Sequence, residues 1–356
     1  MADHAGLDRQ VAHLLARAPG PDLEAAAAVA ERARRVLRPA GALARLDELA
    51  GWLAAWQGTA RPAVRRPAAV VFAADHGVAA SGVSAYPAEV TTAMVKALRE
   101  GVATASVLAG QVGATLDVVD VGVGDPTRDL ARGPALGPAR FRACVQAGRD
   151  AVAGLDTDLL VLGEMGIGNT TAAAAVTAIL LGRSAEASTG RGTGVDDAGL
   201  ARKVAAVEAA RRRVGTGAAP MEVLRQAGGA ELAALAGAAL EARLRRLPLV
   251  LDGFVVTAAV APLELLCAGA LANTVAGHRS AEPGHQALLE RLGQRPLLDL
   301  GMRLGEGSGA LAAVPLLRLA AAAVTEVATF AEWGLDSGPA GGGNGSSPGG
   351  ALGESQ

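Results

Sequence analysis

A chain of 356 residues has room for one large domain or two, and a net charge of −2, from 33 Lys+Arg against 35 Asp+Glu, excludes a general nucleic-acid binder. Apolar residues make up 51% but aromatics only 2%, so a substantial core has to be built from Ala, Val and Leu, which suits close helix–helix and helix–sheet packing. The two cysteines, Cys144 and Cys267, belong to no C-x-x-C or Cys/His cluster, which excludes a structural zinc and fits small buried hydrophobes in a reducing cytoplasm.

The N-terminal MADHAGLDRQ lacks the basic-then-apolar order of a signal peptide. Residues 21–39 read as a helix with acids early, arginines late and a proline stop. A second amphipathic helix runs from about Ala42 to Trp56, and residues 1–60 form the N-terminal part of a small helical domain. An alternation of strands and helices then begins. Residues 68–78 read as a buried strand ending in a loop, 89–101 as a helix, 115–124 as a strand and 158–168 as another. A helix from Thr170 to about Leu181 follows, then one over 199–214. Residues 248–256 read as a strand with a helix to about Ala272, and 296–302 as a short extended segment. The final helix runs to about Trp333. It is broken by Pro315 and Arg318, and a membrane-spanning segment needs about 20 apolar residues, so it reads as buried. Apolar strands alternating with helices predict an α/β fold, a parallel sheet flanked by helices in the Rossmann-like manner. The expected organisation is an α/β catalytic domain over 61–310, a C-terminal helix over 311–335 and a disordered Gly-rich tail over 336–356.

Ligands in such folds bind outside the carboxyl ends of the strands. Three loops follow strands there: Asp75-His76-Gly77, Gly163 to Asn169, and Asp252-Gly253. GEMGIGNTT (163–171) follows a strand and opens a helix, so its backbone N–H groups suit a phosphate or carboxylate, or else form a tight structural turn. It is neither a P-loop nor the dinucleotide fingerprint, its glycines falling at 163, 166 and 168. Glu164 is a capping acid or a catalytic one. STGRGTGVDD (188–197) is a second Gly-rich loop, and Lys203 in the following helix is either solvated or reaches a phosphate as a point charge. Tyr86, the only tyrosine, stacks on a flat ring or simply packs. His76 lies after a strand end without a second ligand nearby, and His278 and His285 lack an H-E-x-x-H, so no metal site is expected. RLGEGSGA (303–310) sets Glu306 between two glycines just before an apolar helix. That reads as a helix first-turn acid or as an ionised general base facing a cavity. Most arginine clusters, such as Arg211 to Arg213, read as solvated helix faces.

Seven segments in order resemble the nicotinate-nucleotide–dimethylbenzimidazole phosphoribosyltransferase family: RPAGALARLDELA, AADHGV, GVSAYP, GEMGIGNTT, LDGF, HRSAEPG and RLGEGSGA. They span about 40 to 320. The resemblance implies transfer of 5-phosphoribosyl from nicotinate mononucleotide to 5,6-dimethylbenzimidazole, giving α-ribazole 5′-phosphate and nicotinate in cobalamin nucleotide-loop assembly. The leaving group is a pyridinium and departs without a general acid, so one carboxylate base suffices and neither metal nor cofactor is called for. By the resemblance Glu306 is that base, and Glu164 stabilises positive charge on the ribose. Gly166, Gly168, Asn169 and Thr170 contact the nucleotide, Gly192 and Lys203 hold the phosphate, and Tyr86 and Met94 line the benzimidazole pocket. Benzimidazole, purine and phenolic acceptors stay open at that pocket. The implied partners are these small molecules and a second copy in a homodimer, in the cytoplasm, with no nucleic acid or membrane. A non-catalytic nucleotide sensor and an NAD(P)-dependent oxidoreductase remain the rival readings.

Overall fold

The computed structural model describes residues 4–335, so the expected tail over 336–356 lies outside the described residues. Helices α1 (His4–Ala16), α2 (Leu23–Ala33) and α3 (Arg45–Gln57) precede strand β1 (Pro67–Ala74). Helices α4 (Val90–Arg99) and α5 (Thr104–Gln111) lead to β2 (Thr115–Gly122), and α6 (Pro138–Ala153) leads to β3 (Leu159–Met165). Five helices fill the long excursion that follows: α7 (Asn169–Leu181), α8 (Ala185–Ser188), α9 (Asp197–Val214), α10 (Pro220–Ala227) and α11 (Ala230–Leu244). Strand β4 (Leu249–Leu251), α12 (Phe254–Leu266), β5 (Thr274–Ala276), α13 (Pro283–Arg291) and α14 (Ser308–Thr325) complete the order.

The five strands form one parallel sheet, β2-β1-β3-β4-β5. The chain runs from β1 to the β2 edge and then returns to β3 on the other side of β1. The topological switch therefore falls between β1 and β3, where α/β sheets bind ligands. Side-chain alternation along each central strand serves two cores. Val70, Phe72, Leu160 and Leu162 enter the cluster with α6, α7, α11 and α12. Val71, Ala73, Leu159 and Val161 enter the opposite cluster with α3, α5 and α14. The scarcity of aromatics has its expected counterpart where α6 meets α11: a methyl group on Gly148 would lie 1.8 Å from the Ala234 carbonyl oxygen, so the backbones touch.

A third, small cluster joins Ala25, Val29, Ala33, Ala50 and Ala54 to Val324, and so packs α2 and α3 against the end of α14. Arg32 clasps it, donating to the carbonyls of Val324 (2.8 Å) and Val327 (3.0 Å) and pairing with Glu332.

Several boundaries differ from the sequence reading. Helix α2 stops at Ala33 rather than near Pro39, because Val36 forms an antiparallel bridge with Thr329 instead. The strand expected over 248–256 is only Leu249–Leu251, since Gly253 already caps α12. The last helix ends at Thr325, short of Trp333, where the chain turns back toward α2. The 296–302 segment is represented by one parallel bridge, His278 with Leu298.

Candidate active site

Residues at and just after the carboxyl ends of β3, β4 and β5, together with the Gly192 loop and the loop before α14, line a cleft of about 90 Å³ that opens to solvent. Glu164, Gly166, Asn169, Thr170, Gly192, Asp252, Glu282, Arg303 and Gly305 are among the residues that line it. Gly168, Lys203 and Glu306 lie outside this lining but adjoin it: Gly168 precedes Asn169, a Cβ on Gly192 would come within 3.0 Å of Lys203 Nζ, and Glu306 follows Gly305. Met94, half-buried on α4, packs in the same core cluster as Met165, and Tyr86 in the loop before α4 is 52% exposed. The sequence-predicted residues thus gather around one end of the sheet, with Tyr86 the outlier.

One end of the cleft is a cation-and-hydroxyl cradle. Lys203 is 1% exposed, and its Nζ donates to Thr170 Oγ1 at 2.9 Å. It is therefore not a solvated lysine. Burial lowers its pKa, against the opposing pull of the Glu282 charge. Gly192 N–H donates to Glu282 Oε1 at 2.8 Å, and Arg303 Nη1 donates to the Gly192 carbonyl at 3.2 Å. The loop residue, the lysine and the hydroxyl thus share one small volume.

The other end holds three buried carboxyls. Glu164 is 8% exposed at the end of β3, and Asn169 Nδ2 donates to its Oε2 from the first turn of α7. Burial foremost, then the charges of Asp252 and Glu231 and lastly Glu306, push its carboxyl well above the usual range, with the Asn169 amide opposing. Asp252 closes β4 and caps α14, accepting Gly307 N–H at 3.2 Å and Ala310 N–H at 2.9 Å. Burial raises its pKa, against the opposing His278 charge and these N–H groups. His278 Nε2 lies 3.6 Å from Asp252 Oδ1.

Glu306 is 4% exposed and sits just before Gly307, the N-cap of α14, in the left-handed region at φ 63°. Its flanking glycines have φ 91° and 83°, so the chain turns through three left-handed residues in a row. Such a conformation costs a non-glycine residue about 1 kcal/mol. The turn presses against β3, where a Cβ on Gly163 would stand 2.5 Å from the Glu306 carbonyl carbon. Glu306 N–H also donates to the Glu164 carbonyl at 3.1 Å, tying the two acids by backbone. Burial raises the Glu306 pKa, the Asp252 charge adds to this, and the Ala105 N–H opposes both. Burial thus makes the Glu306 carboxylate a stronger base than a solvated one. Its Oε2 is buried without a hydrogen-bond partner.

Sequence reasoning misses Asp252, Glu282 and Glu231 as site residues. The available signal for Asp252 is its place after an apolar strand, in LDGF; Glu282 lies in the HRSAEPG segment.

A family model described as phosphoribosyltransferase matches residues 18–335. The nicotinate-nucleotide–dimethylbenzimidazole phosphoribosyltransferase of Ruegeria pomeroyi is 50% identical over 329 residues, 92% of this chain and 97% of that protein. The protein of the same name from Mesorhizobium japonicum is 53% identical over 312 residues, 87% of this chain and 93% of its own. The crystal structure of CobT from Thermus thermophilus superposes with a TM-score of 0.84 at 46% identity, covering 88% of this chain and all of that one.

Proposed function

The chain belongs to the nicotinate-nucleotide–dimethylbenzimidazole phosphoribosyltransferase family, and from that premise we propose how its own groups carry the reaction. The protein moves the 5-phosphoribosyl group of nicotinate mononucleotide onto 5,6-dimethylbenzimidazole, yielding nicotinate and α-ribazole 5′-phosphate for the cobalamin nucleotide loop. The observation that carries the assignment of roles is the two-ended cleft, with Lys203 and Thr170 at one end and Glu164, Asp252 and Glu306 at the other.

The phosphate docks at Lys203 Nζ, the Thr170 hydroxyl and the Gly192 backbone, a charge-assisted cradle on a buried cation. Gly166, Gly168 and Asn169 hold the ribose side of the nucleotide at the start of α7. An acceptor ring nitrogen attacks the anomeric carbon. The bond to nicotinate breaks, and its electron pair neutralises the pyridinium. The proton on the acceptor's other ring nitrogen passes to Glu306 Oε2, the buried oxygen left without a partner. Desolvation makes this carboxylate a stronger base than a free one. Glu164 faces the positive charge that develops on the ribose as the old bond lengthens.

The acceptor ring lies on the α4 side, with Met94 at its edge and Tyr86 closing over it. Thr91 of α4 ties that side to the nucleotide loop by accepting from Ile167 N–H at 3.2 Å. The exposed Val102 in the turn before α5, Val107 on α5 and Leu319 on α14 support a homodimer, and the isolated thiols support a cytoplasmic setting. Light scattering on the purified protein tests the dimer.

The deciding experiment incubates the protein with nicotinate mononucleotide and dimethylbenzimidazole and reads products by chromatography and mass. Release of nicotinate with an equal amount of ribosyl-benzimidazole phosphate is expected. Nucleotide binding without turnover with benzimidazole, purine or phenolic acceptors would leave a sensor, and no nucleotide binding would overturn the cradle assignment.

A further inference from the structure

We propose that His76 and Glu231 form a buried positioning pair that sets the shape and charge of the nucleotide loop Gly166–Asn169, an inference that rests on the nucleotide reading of that loop. His76 ends the turn after β1 and Glu231 lies in the first turn of α11, 155 residues later. Both side chains are fully buried, and His76 Nε2 stands 2.5 Å from Glu231 Oε1.

The pair is the floor of the loop. A Cβ on Gly166 would come within 3.1 Å of Glu231 Oε1 and 3.3 Å of His76 Cδ2, and one on Gly168 within 3.4 Å of His76 Cβ. From below, Gly229 lets the chain pass the imidazole: a Cβ there would lie 2.2 Å from His76 Cε1. The opposite face of the same loop supplies Gly166, Ile167 and Asn169 to the cleft. Any shift of the pair is therefore passed directly to the backbone that meets the nucleotide.

Chemistry supports function over filling. Burying a carboxyl against an imidazole away from water is costly, and apolar side chains of the same volume fill a core as well. His76 Nδ1 and Glu231 Oε2 are moreover buried without partners, a state a purely structural contact would avoid. The proposed reaction places no atom on either residue. Glu231 does act on Glu164, where its negative charge holds the carboxyl toward the neutral form. The other charged groups facing Glu164 are Asp252 from β4, with His278 beside it, and Glu306 from the loop before α14. Glu231 is the one of these tied to the loop floor, through its contact with His76.

The test is steady-state kinetics of E231Q, H76Q and the double variant H76Q/E231Q, beside thermal denaturation of each. Glutamine keeps a hydrogen bond at either position and removes the ionisable group. Each single variant is expected to raise KM for nicotinate mononucleotide about tenfold while leaving KM for the acceptor unchanged. In E231Q the acid limb of the kcat profile moves to lower pH, because a negative neighbour of Glu164 is gone. The double variant loses no more than the worse single one, as residues acting as a unit do. Lower melting temperatures with unchanged kinetics, or losses that add in the double variant, would reduce the pair to packing and overturn the proposal. An inactive wild-type protein would instead overturn the function reading and this inference with it, whereas an active wild type with kinetically silent variants overturns this inference alone. Should E231Q fold poorly, the KM split in H76Q still decides.

Discussion

The two ends of the cleft solve opposite electrostatic problems within one cavity. At the Lys203 end a buried lysine has a hydroxyl at 2.9 Å and a nearby carboxylate, so its charge is matched within the fold. At the carboxylate end Glu164, Asp252 and Glu306 crowd like charges together, relieved only by an amide, a histidine and backbone N–H groups. On the proposed reading, binding falls to the first end and proton exchange to the second, and substitutions should separate them.

The strongest break is expected from Glu306→Gln, which keeps shape and removes the base. Turnover should fall by ~10²–10⁴-fold while calorimetry still finds nicotinate mononucleotide bound. Lost nucleotide binding in that variant would contradict the division of labour. Glu164→Gln comes next, with a rate loss of ~10²-fold and, unusually, a higher melting temperature. The raised pKa of Glu164 means the folded chain holds a proton that the unfolded chain releases. Stability present at low pH is therefore lost as pH climbs past the ordinary carboxylate value of 4.5, and the amide escapes that loss. The same acid should give up its proton when the cationic pyridinium binds. Calorimetry in buffers of different ionisation enthalpy would detect the release in the wild type and miss it in the variant.

Lys203→Met tests the other end. Its effect should sit in KM for the nucleotide, ~10–100-fold, with kcat for bound substrate close to normal. A kcat collapse with intact KM would mean the lysine acts on the reacting bond. The smallest expected effect concerns His285, which lies beside the cradle between Thr257 Oγ1 (3.1 Å) and Ser280 N–H (2.9 Å). Burial foremost, aided by the His278 charge, lowers its pKa to about 3. Its resonances in NMR should not titrate between about pH 5 and 8. Its contribution to stability is complete above pH ~6.5 and declines only as the medium turns acid.

Much of this was legible along the chain, and the reason is range. Strands β1, β2 and β3 are runs of seven or eight residues and announce themselves by composition. Strands β4 and β5 have three residues each and owe their state to neighbours in the sheet. Glu164 at the end of β3 and Glu306 before α14 stand beside glycines whose local pattern exposes them. The partners that tune them do not. Asp252 reaches the start of α14 over 55 to 58 residues, and His76 meets Glu231 over 155, distances at which no periodicity or spacing carries information. Lys203 inverted its solvated default because α9 packs against α7 and seals it under Thr170.

The left-handed turn at Glu306 has a consequence for how the protein can drift. A glycine at that position would adopt φ 63° without cost and would remove a buried acid. Selection for heat tolerance alone, with no demand for turnover, should therefore favour replacing Glu306 by Gly. Screens that rank variants by survival of the fold would enrich sturdy, inert proteins, and only a paired screen for product formation would hold the glutamate in place.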